Sequence, residues 1–383
     1  MISKAKILST TIVIVFLGYL FLVYTKLTIN PLDLSAYKEG SQPAIDWKNA
    51  SRLYLTAPQV FAQTPGKFLP GFKNPCWPKE SGDGLLCLPY FYLAGMPKCG
   101  TTDLWRKLIQ HPLIAKTSKE PHWWTRKRLG YYNIMVSPNG YYDRMAMALK
   151  KASRSSGIGR SKLILGDGSA STLWDNRNWT RIYPHHQEGP PHIIAEVIAS
   201  IQPSAKTIVI LRNPTERLYS DYLFITNSTT ISPQDFHSRV VTSIRRWSQC
   251  TTQHERRTCT YRRLCYEKNG CSGARIYVGM YSVYLADWLQ FFPRNQTLVI
   301  RMKDWHDHCV DVLRTIHEFL KLYPLRSGEL YRICEQEKAN IRADDKKHIG
   351  PMLDQTRKIL DQFYDPFNVE LADLLNDDRF LWR

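Results

Sequence analysis

The segment Lys206-Thr-Ile-Val-Ile-Leu211 is a nearly unbroken apolar, β-branched run, and residues 215–224 after it carry a helical pattern. A strand without a polar face must be covered on both sides, which is the situation of a parallel sheet packed between helices. The same unit recurs along the chain. Tyr90-Phe-Tyr-Leu-Ala94 reads as a buried strand followed by a helix over 103–110, with Leu104/Leu108 and Trp105/Ile109 at i, i+4. Leu163-Ile-Leu165 and Thr297-Leu-Val-Ile-Arg301 read as further strands, and 192–201, 282–292, 309–322, 352–363 and 369–375 as helices. This alternation predicts an α/β fold with a mostly parallel central sheet flanked by helices. Ligands of such sheets bind beyond the carboxyl ends of the strands.

Compartment is read from the first residues. Residues 7–24 are uncharged and largely apolar, a run that as a helix spans roughly 27 Å. Lys4 and Lys6 precede it and Lys26 follows it, which favours a cytoplasmic amino terminus. No A-x-A-like cleavage site follows Tyr24, so the run reads as an uncleaved signal anchor and not as a removed signal peptide. The expected organisation is a tail over 1–6, a transmembrane helix over 7–26, a Pro/Gly/Ser-rich stem over 27–84 and a lumenal body over 85–383.

Sequons at Asn49, Asn178, Asn227 and Asn295 agree with a lumenal body. So do the cysteines: of nine, Cys76, Cys87, Cys250, Cys259, Cys265, Cys271, Cys309 and Cys334 are available for disulfides, and Cys76 with Cys87 is the expected local pair. Cys250, Cys259, Cys265 and Cys271 lack the CxxC spacing of a zinc site, and no metal is expected. His306 and His308, beside Cys309, read as surface groups near a disulfide.

The first strand runs into Gly95-Met-Pro-Lys-Cys-Gly100-Thr-Thr102. Glycines let backbone N–H groups approach an anion, the following helix start adds partial positive charge, and Lys98 adds a full one. A Walker A loop would need Lys directly after the second Gly, where Thr101 stands. The net charge of +18 calls for an acidic partner.

These residues resemble the 5′-phosphosulfate loop of the Golgi carbohydrate sulfotransferases. Leu211-Arg-Asn-Pro-Thr-Glu-Arg-Leu-Tyr-Ser-Asp-Tyr222 resembles the same family's 3′-phosphate motif, with Asn213 where Asp is common. Lys119-Glu-Pro-His-Trp-Trp124 resembles the segment bearing the acidic catalytic residue, and Gly166-Asp-Gly-Ser-Ala-Ser-Thr-Leu-Trp-Asp175 the Ser-containing strand end. Gly279-Met-Tyr-Ser-Val-Tyr-Leu-Ala-Asp-Trp-Leu289 and Phe363-Tyr-Asp-Pro-Phe-Asn368 complete the set, in the family's order.

The resemblance implies a Golgi type II enzyme using 3′-phosphoadenosine 5′-phosphosulfate as co-substrate. Its implied acceptor is an acidic glycosaminoglycan, nearest to the 6-hydroxyl of N-acetylgalactosamine 4-sulfate in chondroitin or dermatan sulfate. Lys98, Cys99, Gly100, Thr101 and Thr102 would hold the 5′-phosphosulfate, and Arg212 and Ser220 the 3′-phosphate. Glu120 would be the general base, with His122 as the alternative. Residues 340–351 stand where relatives close a basic loop over the nucleotide but depart from the family's pattern, and Lys346 and Lys347 are candidate donor contacts there. Arg126-Lys-Arg128 and Arg245-Arg246 are candidate acceptor contacts or merely solvated charge. Two other readings stay open: a P-loop kinase or ATPase using Leu163-Ile-Leu-Gly-Asp167 as the Mg²⁺-holding strand, and a non-catalytic glycan-binding protein on the same fold. Lumenal placement argues against nucleic acid as the partner.

Overall fold

In the computed structural model, residues 53–82, 84–131, 134–226, 231–263, 273–339 and 348–383 are described. The expected anchor, the sequons at Asn49 and Asn227, and Cys265, Cys271, Lys346 and Lys347 lie outside them. Among the described residues no helix is long and apolar enough to cross a membrane.

A small antiparallel hairpin, β1 (Cys76–Pro78) and β2 (Leu85–Cys87), precedes the main sheet, with Cys76 opposite Cys87 and disulfide-bonded to it. The main sheet has five strands: β3 (Phe91–Gly95), β4 (Ile114–Ala115), β5 (Ile164–Asp167), β6 (Lys206–Leu211) and β7 (Thr297–Arg301). Their order is β4-β5-β3-β6-β7, and every pairing is parallel. The apolar runs dictate this. Every residue of β3 and β5 is buried, and all of β6 beyond Lys206, so each needs cover on two faces.

Cover comes from α1 (Thr101–Leu108), α2 (Pro138–Ser156), α3 (Ile194–Ile201), α4 (Pro214–Ile225), α5 (Pro233–Thr251), α6 (Tyr281–Leu289), α7 (Met302–Asp307), α8 (Cys309–Phe319), α9 (Ser327–Cys334) and α10 (Asp354–Leu375). The chain enters the sheet at β3, adds β4 and β5 on one side, then crosses to β6 and β7 on the other. That makes β3 the switch point, and the crevice beyond its carboxyl end and that of β6 is where a ligand belongs.

Two expectations change. Residues 53–82 were assigned to a stem, yet Leu53, Ala57 and Val60 are buried in the same core as the sheet, and the disulfide-linked hairpin packs there too. Their spacing of four and three is a helical stripe, obscured in the sequence by the Pro and Gly around it. Residues 352–375 were expected as two helices broken near Pro366, but α10 runs through that proline. Burial of Tyr364, Phe367 and Leu371 on one face, with the Tyr364 hydroxyl donating to the Ile276 carbonyl at 2.8 Å, offsets the lost backbone bond.

Candidate active site

The loop after β3 is shaped by left-handed backbone at two residues. Gly100, the N-cap of α1, has φ +83°, and Lys98 has φ +64°. A side chain at Gly100 would find space, since its Cβ would lie 3.5 Å from Met302, so the backbone angle is what calls for glycine there. Thr101 and Thr102 open α1, where the first N–H groups have no partner within the helix. Cys99 departs from its expected role. Its N–H donates to the Met96 carbonyl to close the turn, and its buried thiol faces the core, with Sγ 3.7 Å from the Tyr281 hydroxyl. Burial pushes that thiol's pKa up.

Arg212 directly follows β6, and Asn213 then caps α4 by accepting from the N–H groups of Thr215 (2.9 Å) and Glu216 (3.3 Å), with Pro214 at the first helical position. Asn serves here as well as Asp would. The Arg212 carbonyl accepts from Tyr281 at 3.0 Å, and its guanidinium lies 3.4 Å from Glu216. Lys98, Gly100, Thr101, Thr102, Arg212 and Ser220 all line one cleft beyond the ends of β3 and β6. Its other wall is made by Met302, His306, Lys338 and Ala339.

Charge in the cleft is balanced finely. Burial pushes the Lys98 ammonium pKa down; Asp221 and Glu120 oppose this, while Arg212 and Arg275 add to it. Lys98 Nζ sits 3.8 Å from the ring centroid of Phe224, an exposed aromatic. Beneath lies a buried ionic cluster. Asp221 takes two bonds from Arg275 (2.9 and 2.5 Å) and faces Arg217 at 3.4 Å. Burial alone would raise the Asp221 pKa, but the two guanidinium groups hold it below the usual carboxylate range.

Beside the cleft, Glu120 (φ +58°) and His122 (φ +47°) flank Pro121 in left-handed backbone, an arrangement that costs energy in non-glycine residues. Glu120 is ion-paired with Lys119 and lies 3.6 Å from His122 Nε2. Burial would raise its pKa, but hydrogen bonds and charge from His122 and Lys119 outweigh that and pull it to about 2. The Ser-containing segment after β5 holds this loop: Ser169 Oγ accepts from the His122 N–H at 2.9 Å, and Ser171 Oγ lies 2.7 Å from His122 Nδ1. Neither Glu120 nor His122 lines the cleft itself.

Other candidates fall elsewhere. Asp167, the carboxylate of the kinase reading, is fully buried, takes the Tyr141 hydroxyl at 2.6 Å and the Ser169 N–H at 2.9 Å, and is absent from the cleft lining. Arg126 pairs with Asp175 at 3.2 Å, and Arg128 donates to the carbonyls of Trp124 and Thr56, so both are turned inward. Arg245 and Arg246 are exposed on α5. Asn178 is half-buried at the start of a short helix, and Asn295 is exposed before β7. Disulfides join Cys250 to Cys259 and Cys309 to Cys334.

The cleft also holds His306, read from sequence as a surface group near a disulfide, and Lys338, which sequence reasoning did not single out. His306 lies on α7, directly after the carboxyl end of β7, so the strand-end rule applied to a third strand would have found it. Lys338 has no such local signal. It reaches the cleft because the Ala339 N–H donates to Asp103 Oδ1 at 3.0 Å, across 236 positions of sequence.

Comparison with known proteins places these features. The sulfotransferase domain family matches residues 89–341. Carbohydrate sulfotransferase 15 of Mus musculus is 35% identical over 381 residues, covering 85% of this chain and 67% of that one, and its Homo sapiens counterpart is 34% identical at the same coverage. Bifunctional heparan sulfate N-deacetylase/N-sulfotransferase 4 of Mus musculus is 25% identical over 338 residues, covering 84% of this chain and 34% of its own length. The match takes in the loop after β3, the cap of α4 and the Glu120 segment alike, and the chain belongs to the sulfotransferase family as a carbohydrate sulfotransferase.

Proposed function

We propose that the enzyme transfers a sulfuryl group from 3′-phosphoadenosine 5′-phosphosulfate to a hydroxyl of an acidic glycosaminoglycan, the 6-hydroxyl of N-acetylgalactosamine 4-sulfate in chondroitin or dermatan sulfate. The observation that carries the donor is the meeting of Lys98, Gly100, Thr101, Thr102, Arg212 and Ser220 in one cleft. A donor with two anionic ends needs cations and hydrogen-bond donors at two places. Here the loop after β3 offers Lys98 and the start of α1, and beside it the end of β6 leads to Arg212 and the Ser220 hydroxyl.

In this reading Lys98 and the start of α1 hold the 5′-phosphosulfate and stabilise the charge that builds on the bridging oxygen as its bond to sulfur breaks. Arg212 and Ser220 hold the 3′-phosphate. The acceptor oxygen forms its bond to sulfur from the opposite side, in line, and Glu120 takes its proton, with His122 and Lys119 orienting the carboxylate. His122 is the alternative base. Adenosine 3′,5′-bisphosphate leaves. The acceptor assignment draws on the family resemblance, and the net charge of +18 suits a polyanionic chain. The enzyme is placed in the Golgi membrane, anchored by residues 7–26, with its body lumenal and glycosylated at its sequons.

The test is label transfer from radioactive donor to chondroitin, chondroitin 4-sulfate, dermatan sulfate or heparan sulfate, using the full chain in detergent. Label is expected on the 4-sulfated chains, and Lys98→Ala should lower it by about a hundredfold or more. Label confined to heparan sulfate would overturn the acceptor assignment. Failure to bind the donor nucleotide would overturn the whole reading.

A further inference from the structure

His306 stands out in the donor cleft because, among the described residues, its ring makes no hydrogen bond. It lines the wall facing the phosphate loop and is half-buried. Charged groups approach it from several elements. Asp103 of α1 and Asp307 of its own helix are anionic; Arg212 at the end of β6 and Lys338 of the segment after α9 are cationic. Two of these anions are already committed. Asp103 accepts from Trp305 Nε1, the Ala339 N–H and Lys107, and Asp307 is ion-paired with Lys303 at 2.6 Å. The imidazole therefore sits among committed carboxylates and two cations, Lys338 and Arg212, the latter 3.4 Å from Glu216, in a partly dry wall, and burial and Lys338 both favour its neutral form.

An anion entering the cleft reverses that balance. A bisphosphate nucleotide would neutralise Arg212 and Lys338 and offer acceptor oxygens to an imidazolium N–H, which then becomes the stable form. We propose that His306 is a donor-binding residue that takes up a proton as the nucleotide binds, so that donor affinity is coupled to pH through this one side chain. The inference rests on the donor reading above.

The sign follows from linkage. A group that is neutral in the free cleft and protonated in the complex makes the complex bind one more proton, so affinity rises as pH falls through the bound-state pKa. Below the free-state pKa both forms are protonated and the gain levels off. The nucleotide's own phosphates work in the opposite direction, because they lose protons on entering a cationic site. Only the difference between the native enzyme and a variant isolates the histidine.

The experiment is calorimetric titration of the full chain in detergent with adenosine 3′,5′-bisphosphate. It is run between about pH 7.5 and 5.5, in two buffers of different ionisation enthalpy, for the native enzyme, His306→Gln and His306→Asn. The native enzyme should take up as much as about one proton more than either variant, and its affinity should tighten roughly three- to tenfold more per pH unit. Equal proton uptake and equal pH slopes in native and variant proteins would overturn the proposal while leaving the donor site intact. Absence of any nucleotide binding by the native enzyme would overturn the donor reading and this inference with it. Two amide replacements at a half-exposed position guard against a folding failure, and a native melting profile confirms each.

Discussion

The Glu120 carboxylate has a pKa of about 2 because Lys119 and His122 both bond its charged form. In the role proposed for it, a base held that low is ready but weak, and it gains strength only as one partner lets go. Acidic conditions therefore leave it ionised far below the usual carboxylate range. Lys119→Met removes the nearer cation and should raise the acid limb of the kcat/KM profile by roughly one to three pH units. A limb that stays in place, measured with donor saturating, would assign the base role to His122. The loop's left-handed residues could not be read from sequence, since neither Glu nor His advertises positive φ. The serines that hold it could be: Ser169 and Ser171 stand in a segment quoted for its resemblance, and their hydroxyls meet His122 from 47 and 49 positions away.

Strands were legible wherever the apolar run was continuous. β6 and β7 fall on the predicted residues, whereas β4 is two residues long and carries no pattern of its own. The helices α2 and α5 were not anticipated although both open the same way. Ser137-Pro138 and Ser232-Pro233 each put a serine at the N-cap, accepting from the third residue on, and a proline at N1. Their buried stripes are interrupted by Lys, Arg and Ser, which weakens the periodicity but leaves the start signal intact. Gly166 lies in β5 for a reason only the fold shows: a Cβ there would sit 2.4 Å from the Phe91 ring of neighbouring β3. Gly166→Ala should therefore cost about 1–3 kcal/mol of stability by overpacking, read as a lowered denaturation midpoint. An unchanged midpoint would mean that the sheet centre yields more easily than its packing suggests.

At the scale of the whole molecule, the cleft beyond β3 and β6 is assembled from distant stretches of chain, with covalent links outside it. The Cys309–Cys334 disulfide ties α8 to the end of α9, four residues before Lys338. Replacing both cysteines by serine should lower the unfolding free energy by about 2–4 kcal/mol and also weaken nucleotide binding. The same replacement at Cys250 and Cys259, in a separate part of the fold, should lower stability without touching nucleotide affinity. Chemical denaturation and binding titrations on the two variants separate these outcomes. If neither or both changed affinity, the disulfide would have no particular hold on the cleft wall.

The bond from the Ala339 N–H to Asp103 has a consequence for synthesis. The β3 loop and its helix emerge from the ribosome well before the segment that closes on them, 236 positions further along the chain. The sheet strands can pair beforehand, while the nucleotide pocket stays open along one side until residue 339 arrives and docks. A chain cut short before that point would carry every residue of the phosphate loop and still present it to bulk water. Possession of the complete cleft is thus a sign that the chain has been made at least as far as residue 339.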